Sequence, residues 1–590
     1  HDDPGEARPE VGERLRQVTA SSRVDDRAFT TMQPDTGSQG ERSGDRDLER
    51  TGIPIEGGGQ LVEILAPVGG RTRRVPAGPV IQESLGRPAP TRTYQDLLQN
   101  PHDEALFDHY VTSRIVLVGL DGTRKPIGAP GVHLSVDPSP DGKYLLVETV
   151  HRPYSYLVPL NRFPRTIAVW DLEGKEVARV ADVPLQEEVP ISFDAVPTGP
   201  RGVDWRADAP ATLSWSEALD GGDPAKPALK RDRLVVWSAP FRDERRAVLE
   251  VETRLRGVIW SSDALALVSE YWWKNRHVRT WAVQPEQVNG TPRLVFDRSS
   301  EDRYNDPGDF VTQVGPLGRS VLMTADHGKT AFLFGEGASP EGDRPFLDSI
   351  DLATGKTDRL WRSEAPSFET PVAILDDAGG LLLTQRESIN DAPNYFLRDV
   401  KENRVTALTQ FPDPAPQLAG IKPELIKYRR ADGVELSGKL YLPPGYQPSQ
   451  GRLPFVLWAY PREFKSASAA SQVSGSPYRF TRPSGASHLF LLTQGYGILD
   501  DPTMPIIGEG DKEANDSYVS QLVASAKAAI DALVERGVAD PHRVAIGGHS
   551  YGAFMAANLL AHSRLFQAGI ARSGAYNRTL TPFGFQSERR

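Results

Sequence analysis

Between residues 112 and 412 the chain repeats one local pattern, a turn followed by a compact apolar run, and this repetition restricts the fold more than any other feature. Asp141-Gly142 precedes the run 144–147, Asp208-Ala209-Pro210 precedes 212–215, and Asp263 precedes 265–268. His327-Gly328 precedes 330–334, and Asp377-Ala378-Gly379-Gly380 precedes 381–383. A second set lies between these: Leu120-Asp121-Gly122, Asp171-Leu172-Glu173-Gly174, Asp351-Leu352-Ala353-Thr354-Gly355 and Asp399-Val400-Lys401. Each is flanked by apolar alternation, as a β-hairpin requires. Two interleaved hairpin signatures recurring at roughly fifty to sixty residues predict four-stranded blades and therefore a β-propeller. A β-sandwich with coincidentally spaced turns is the competing arrangement.

Pro412, Pro414 and Pro416 close this region. Beyond them Asp432-Gly433 sits between two alternating segments, a further hairpin, and Phe455-Val456-Leu457-Trp458 and Tyr496-Gly497-Ile498-Leu499 read as buried strands. From Tyr518 to Arg536 apolar residues fall at 519, 522, 523, 526, 530, 533 and 534, the spacing of an amphipathic helix. Strands alternating with helices predict an α/β layer with a parallel sheet. The expected domains are a polar, flexible leader at 1–55, a propeller with its lead-in at 56–415, and an α/β-hydrolase catalytic domain at 416–590. A short helix is expected around 94–110, where Leu97, Leu98, Leu106 and Phe107 are suitably spaced.

Val544-Ala545-Ile546 is a short strand, Gly548-His549-Ser550-Tyr551-Gly552 has the form G-x-S-x-G, and an Ala-rich helix follows from Ala553 to His562. Strand, tight glycine turn and helix together make a nucleophile elbow, with Ser550 as the candidate nucleophile. The glycines leave room for neighbouring strands, and the helix N-terminus favours the negative charge of an oxyanion. One oxyanion donor is then the backbone N–H of Tyr551, directly after the serine. The second comes from the end of an earlier strand, where the sequence puts Tyr460; taken alone, a tyrosine there more often packs than reacts.

Lys and Arg number 68 against 78 Asp and Glu, a net charge of −10 with no dense basic block, which argues against nucleic acid or anionic lipid as a partner. With no cysteine, thiol catalysis, disulfides and Cys-based zinc sites are excluded. The eleven histidines form no ligand-spaced cluster, so neither metal nor cofactor is expected. No run has the eighteen or so apolar residues of a membrane helix. The polar start, His1-Asp2-Asp3-Pro4 without an initiating Met, suits a processed or partial chain. The compartment stays open, exported to a periplasm or plastid- or cytoplasm-like, and self-association stays open too.

These residues resemble the prolyl oligopeptidase serine peptidases. More narrowly, Trp458-Ala459-Tyr460-Pro461, the segment 505–511, Gly547-Gly548-His549-Ser550-Tyr551-Gly552-Ala553-Phe554-Met555 and the segment 570–586 are similar to the glutamyl endopeptidases. So are His151-Arg152-Pro153-Tyr154-Ser155-Tyr156 and Asp204-Trp205-Arg206-Ala207-Asp208 within the repeats. The resemblance implies a seven-bladed propeller capping the active site, a phenolic oxyanion donor at Tyr460, and peptide or unfolded polypeptide substrates cut after acidic residues, chiefly Glu. A pocket for Glu must offset the desolvation of a carboxylate, which calls for a cation. Arg578, in the loop after the strand that follows the elbow helix, is the first candidate and Arg462 the second; either is otherwise an ordinary ion-paired arginine. Lys274, Arg276 and Arg279, beside Trp272 and Trp273, are a guide for acidic substrates or, more plainly, a solvated basic face.

Hydrolases with this elbow place an Asp and then a His after the serine. The forty residues after Ser550 hold no Asp, and their one histidine, His562, lies on the elbow helix some 18 Å along its axis. His549 adjoins the serine but cannot turn back onto its Oγ. The expectation is a C-terminally truncated α/β-hydrolase whose triad partners lie beyond residue 590, inactive by itself. An aminopeptidase, acylaminoacyl peptidase or esterase on the same fold is the nearest alternative, and a non-catalytic propeller scaffold the alternative of another class.

Overall fold

The computed structural model describes residues 97–574 and Tyr576, apart from 191, 263, 288–289, 417–419 and 484, together with the backbone of strands Ile53–Ile55 and Gln60–Leu65. Most of the expected leader, the Asp263 turn and Arg578 therefore lie outside the described residues.

The repeats fold as successive antiparallel meanders. The long strand Arg124–Pro138 serves two of them, pairing through one half with Ser113–Gly119 and through the other with Tyr144–Val150, so that a seven-stranded sheet is two meanders in tandem. Four-stranded sheets follow at 201–251, 254–299 and 367–407, with a divided sheet spanning 309–362 between the last two. Six such meanders thus fall among the described residues.

The recurring aspartates have a local cause. Asp121 accepts hydrogen bonds from the backbone and hydroxyl of Thr123, Asp171 from the amides of Glu173 and Lys175, and Asp351 from those of Ala353 and Thr354. Each carboxylate thereby closes its own turn. At Gly174 the turn tolerates only glycine: φ is +81°, and a Cβ would stand 2.1 Å from the Gly128 nitrogen.

Apolar residues on each sheet pack against the next sheet along the chain. Leu146, Ile167 and Val169 meet Leu213, Trp215 and Val235; Leu234, Val236 and Leu249 meet Trp260, Ala266 and Val268. Leu267 and Ala282 meet Leu333 and Ile350, and Phe332 and Leu347 meet Ile374 and Leu382. Arg319, in the hairpin before Ser320–Leu322, also pairs with Asp137 at 3.0 Å, 182 residues away in sequence. Each sheet stacked on the next along the chain is blade packing, not two flat layers.

The expected helix near 94–110 forms at Pro101–Val111. It starts late because Pro101 takes the first helical position, where a missing N–H does no harm, and Asn100 caps the amides of His102 and Asp103. Leu98 and Phe107 pack against Val132, Val150 and Phe163.

After the prolines a six-stranded sheet runs in the order Glu424–Arg429, Glu435–Tyr441, Gly497–Asp500, Leu453–Trp458, Ala539–His549, Ala568–Arg572. The first two strands are antiparallel and the last four mutually parallel. Helix Tyr518–Glu535 lays Leu522, Ala526, Ala529, Ile530 and Leu533 onto it, the face its spacing predicts. Among the described residues the last strand is the edge of the sheet, and all five of its residues are exposed. No helix among the described residues is long and apolar enough to cross a membrane.

The two regions exchange polar contacts. Glu301 accepts the amide of Lys465, Tyr304 Oη that of Val473, Asp343 that of Gly475, and Glu387 that of Phe480. Arg303 returns the contact by donating to the Val473 carbonyl at 2.9 Å.

Candidate active site

The elbow forms where the motif puts it and is longer than the apolar pattern suggests. Its strand runs Ala539–His549, since Ala539 already pairs with Leu453, and its helix begins at Tyr551. Ser550 joins them at φ +55° and ψ −114°, a conformation a side-chain-bearing residue rarely adopts. The backbone is pinned from both sides: its N–H donates to the Arg572 carbonyl at 2.9 Å, and its own carbonyl accepts from Ala553 and Phe554. The residue is exposed, and its Oγ makes no hydrogen bond among the described residues.

Two glycines let the elbow sit this close to its neighbour. A Cβ on Gly548 would lie 2.5 Å from the Gly552 backbone and 2.7 Å from the Ala459 carbonyl oxygen; one on Gly552 would lie 2.5 Å from that same oxygen. The Ala459–Tyr460 turn is thus pressed onto the first turn of the elbow helix. Tyr460 follows strand Leu453–Trp458, is 45% exposed, and presents its ring edge-on to Tyr551 with centroids 6.0 Å apart. Tyr551, the first residue of the helix, stacks on Phe554 and places its hydroxyl 3.4 Å from Glu463. Its backbone N–H belongs to the helix N-terminus, where amides point outward without carbonyl partners from the same helix. Ser550, Tyr551 and Tyr460 are therefore brought together.

Arg462 lies two residues beyond Tyr460 on the short strand Pro461–Phe464, is exposed, and forms no ion pair among the described residues. His549 is exposed beside the serine, while His562, at the far end of the elbow helix, lines a separate crevice with Asn515, Tyr518 and Val523. The basic residues near Trp273 are ion-paired: Lys274 with Asp511, Arg276 with Glu301, and Arg279 with Glu252 and Asp297. Arg276 is buried besides, whereas Lys274 and its partner Asp511 are solvated.

One residue of the rim escaped the sequence reading. Asp501 follows strand Gly497–Asp500 at φ +49°, and its N–H donates to the Trp458 carbonyl at 2.9 Å. Neighbouring groups desolvate its carboxyl, and this, with the adjacent Asp500 charge, raises its pKa; Lys439 and Arg462 oppose the shift. Ser573, after the edge strand, also has positive φ. Three of the four parallel strands thus end in a strained residue along one edge, the edge where sheets of this kind bind ligands. Asp500-Asp501-Pro502 hinted at a turn, and nothing in it signalled a left-handed residue.

Meanders stacked as blades, followed by a mostly parallel sheet with a serine elbow at its carboxyl edge, define a propeller-plus-α/β-hydrolase protein. Residues 512–584 match the model of the prolyl oligopeptidase family. Over that stretch the chain is similar to this family. The probable chloroplastic glutamyl endopeptidase of Oryza sativa subsp. japonica is 48% identical over 533 residues, covering 88% of this chain and 57% of that protein. Its Arabidopsis thaliana counterpart is 48% identical over 534 residues, covering 88% and 56%. The chain accordingly spans somewhat more than half the length of these curated relatives. Among solved structures, Porphyromonas gingivalis dipeptidyl peptidase 4 superposes with a TM-score of 0.46 at 14% identity, over 81% of this chain and 72% of that one.

Proposed function

We propose that the chain carries the nucleophile of a serine endopeptidase that cleaves peptides or unfolded polypeptides after acidic residues, chiefly Glu. The observation that supports this best is Ser550 itself, held exposed at positive φ between strand and helix with Tyr551 and Tyr460 beside it. Ser550 Oγ attacks the scissile carbonyl, forming an acyl-enzyme as the amine departs. The Tyr551 N–H and Tyr460 Oη hold the oxyanion; each such donor is worth on the order of 10²–10³ in kcat. The step also requires a general base and a carboxylate that orients it, and neither His549 nor His562 is placed to act on Ser550 Oγ.

The acidic preference rests on the relatives' names and on a cation at the site. Arg462, exposed and in no ion pair among the described residues, suits the charge of a P1 side chain; Arg578 is the companion candidate. The propeller, proposed at 56–415 with seven blades, admits extended chains to the catalytic domain at 416–590.

The test uses the natural full-length protein and blocked peptides differing only at P1 (Glu, Asp, Gln, Pro), beside Ser550→Ala and Arg462→Gln. The expected result is cleavage after Glu that Ser550→Ala abolishes and Arg462→Gln weakens more for Glu than for Gln. Folded protein that cleaves none of them, or cleavage that survives Ser550→Ala, refutes the reading.

A further inference from the structure

The turn that presents Tyr460 is supported from below by a layered arrangement the proposed chemistry does not use. Trp458, the last residue of its strand, pairs in parallel register with Gly547 on one side and Asp500 on the other. The edge of its indole presses on the elbow strand: a Cβ at Gly547 would be 2.5 Å from Trp458 Cε3 and 2.8 Å from Cζ3. On one face of the indole the imidazole of His488 stacks with centroids 4.6 Å apart and planes 6° from parallel. The imidazole is held in turn. His488 Nε2 lies 2.7 Å from Asp500 Oδ1, and the other oxygen of Asp500 pairs with Lys439 Nζ at 3.2 Å. All three side chains are largely buried.

The layers run from the elbow strand through indole and imidazole to a carboxylate anchored in the neighbouring strand. The main chain leaving Trp458 is fixed at the same level, with the Ala459 N–H on the Gly547 carbonyl at 3.0 Å and the Trp458 carbonyl on Asp501 N–H. The height of Ala459 and Tyr460 above the sheet is therefore set by how far the indole can sink, and His488 is its floor. An oxyanion donor must stand within a few tenths of an ångström of its working position.

We propose that His488 is a positioning residue that acts through Trp458 to set Tyr460 against Ser550. The inference rests on reading Tyr460 as an oxyanion donor. His488→Ala removes the floor, whereas His488→Phe keeps a flat ring there and gives up only the bond to Asp500.

In the full-length protein His488→Ala is expected to lower kcat ten- to thirtyfold with KM within twofold, and His488→Phe to recover most of that loss. In a Tyr460→Phe background His488→Ala is expected to change kcat less than twofold, because the group it positions is already gone. Equal losses in both backgrounds, or a change confined to KM, overturn the proposal. A second readout needs no turnover: amide hydrogen exchange at 459–463 should quicken about tenfold in His488→Ala while the 367–407 sheet exchanges as before. Unchanged exchange at 459–463 overturns the positioning role, and wild-type protein that cleaves no peptide counts against the peptidase reading alone.

Discussion

Gly552→Ala tests how tightly the elbow is seated. The added methyl would stand 2.5 Å from the Ala459 carbonyl oxygen, where ordinary contact begins at 3.4 Å, so the helix and the Ala459–Tyr460 turn must part by about 0.9 Å. Neither side yields easily: Ala459 is buried, its N–H is bonded to Gly547, and Trp458 before it is clamped between ring and strand. Overpacking of this kind costs about 1–3 kcal/mol. Alanine recovers at most about 1 kcal/mol of helix propensity, and less in a first turn. The crowding wins, and a net loss of about 1–2 kcal/mol is expected in denaturant unfolding. Activity should suffer more, by about a hundredfold, since a displacement near 1 Å between nucleophile and oxyanion donor is enough for that. The matched control is Gly257→Ala, where a Cβ meets nothing within 4 Å. A Gly552→Ala protein as stable and as active as Gly257→Ala would show that the close approach is not built into the elbow.

Two further outcomes follow from buried and rim charges. Asp501→Asn should stabilise the protein at neutral pH. The wild-type carboxyl has a raised folded pKa, so its favourable contribution is complete below the unfolded value near 4 and is lost as pH rises through the folded one; melting from pH 3 to 8 should show the variant's advantage absent in acid and growing with pH. Glu369→Ala should cost about 3–5 kcal/mol in unfolding, because it strands Arg398, buried and bonded to both carboxylate oxygens, whereas Glu369→Met with Arg398→Met should recover most of that loss.

What was legible in the sequence was what is local. Asp121, Asp171 and Asp351 advertise their hairpins because each carboxylate bonds amides two or three residues on, and Leu522 to Leu533 advertise a helix face through spacing alone. The elbow was legible for the same reason, five consecutive residues carrying their own steric logic. The pairings were not. Lys274, Arg276 and Arg279 read as a basic face because Asp511, Glu301 and Asp297 are remote in sequence or on another strand. Asp501 gave no sign of its left-handed backbone, which is imposed by the bond to Trp458 and not by its neighbours. The elbow strand outran Val544 because its extension is held by Leu453, eighty-six positions earlier (539 − 453).

The amides of Lys465, Val473, Gly475 and Phe480 find their acceptors on Glu301, Tyr304, Asp343 and Glu387, none of which belongs to the sheet these four residues border. A hydrolase half expressed from residue 416 would have to solvate four donors that the other half now serves, at about 1–3 kcal/mol for each that stays buried. Recombining this hydrolase half with the blades of a relative is therefore less like exchanging a lid than like exchanging half of a folding unit. A chimera that keeps the acceptors at 301, 304, 343 and 387 retains a connected polar seam; one that discards them begins with a loosened 465–480 segment directly downstream of Tyr460 and Arg462.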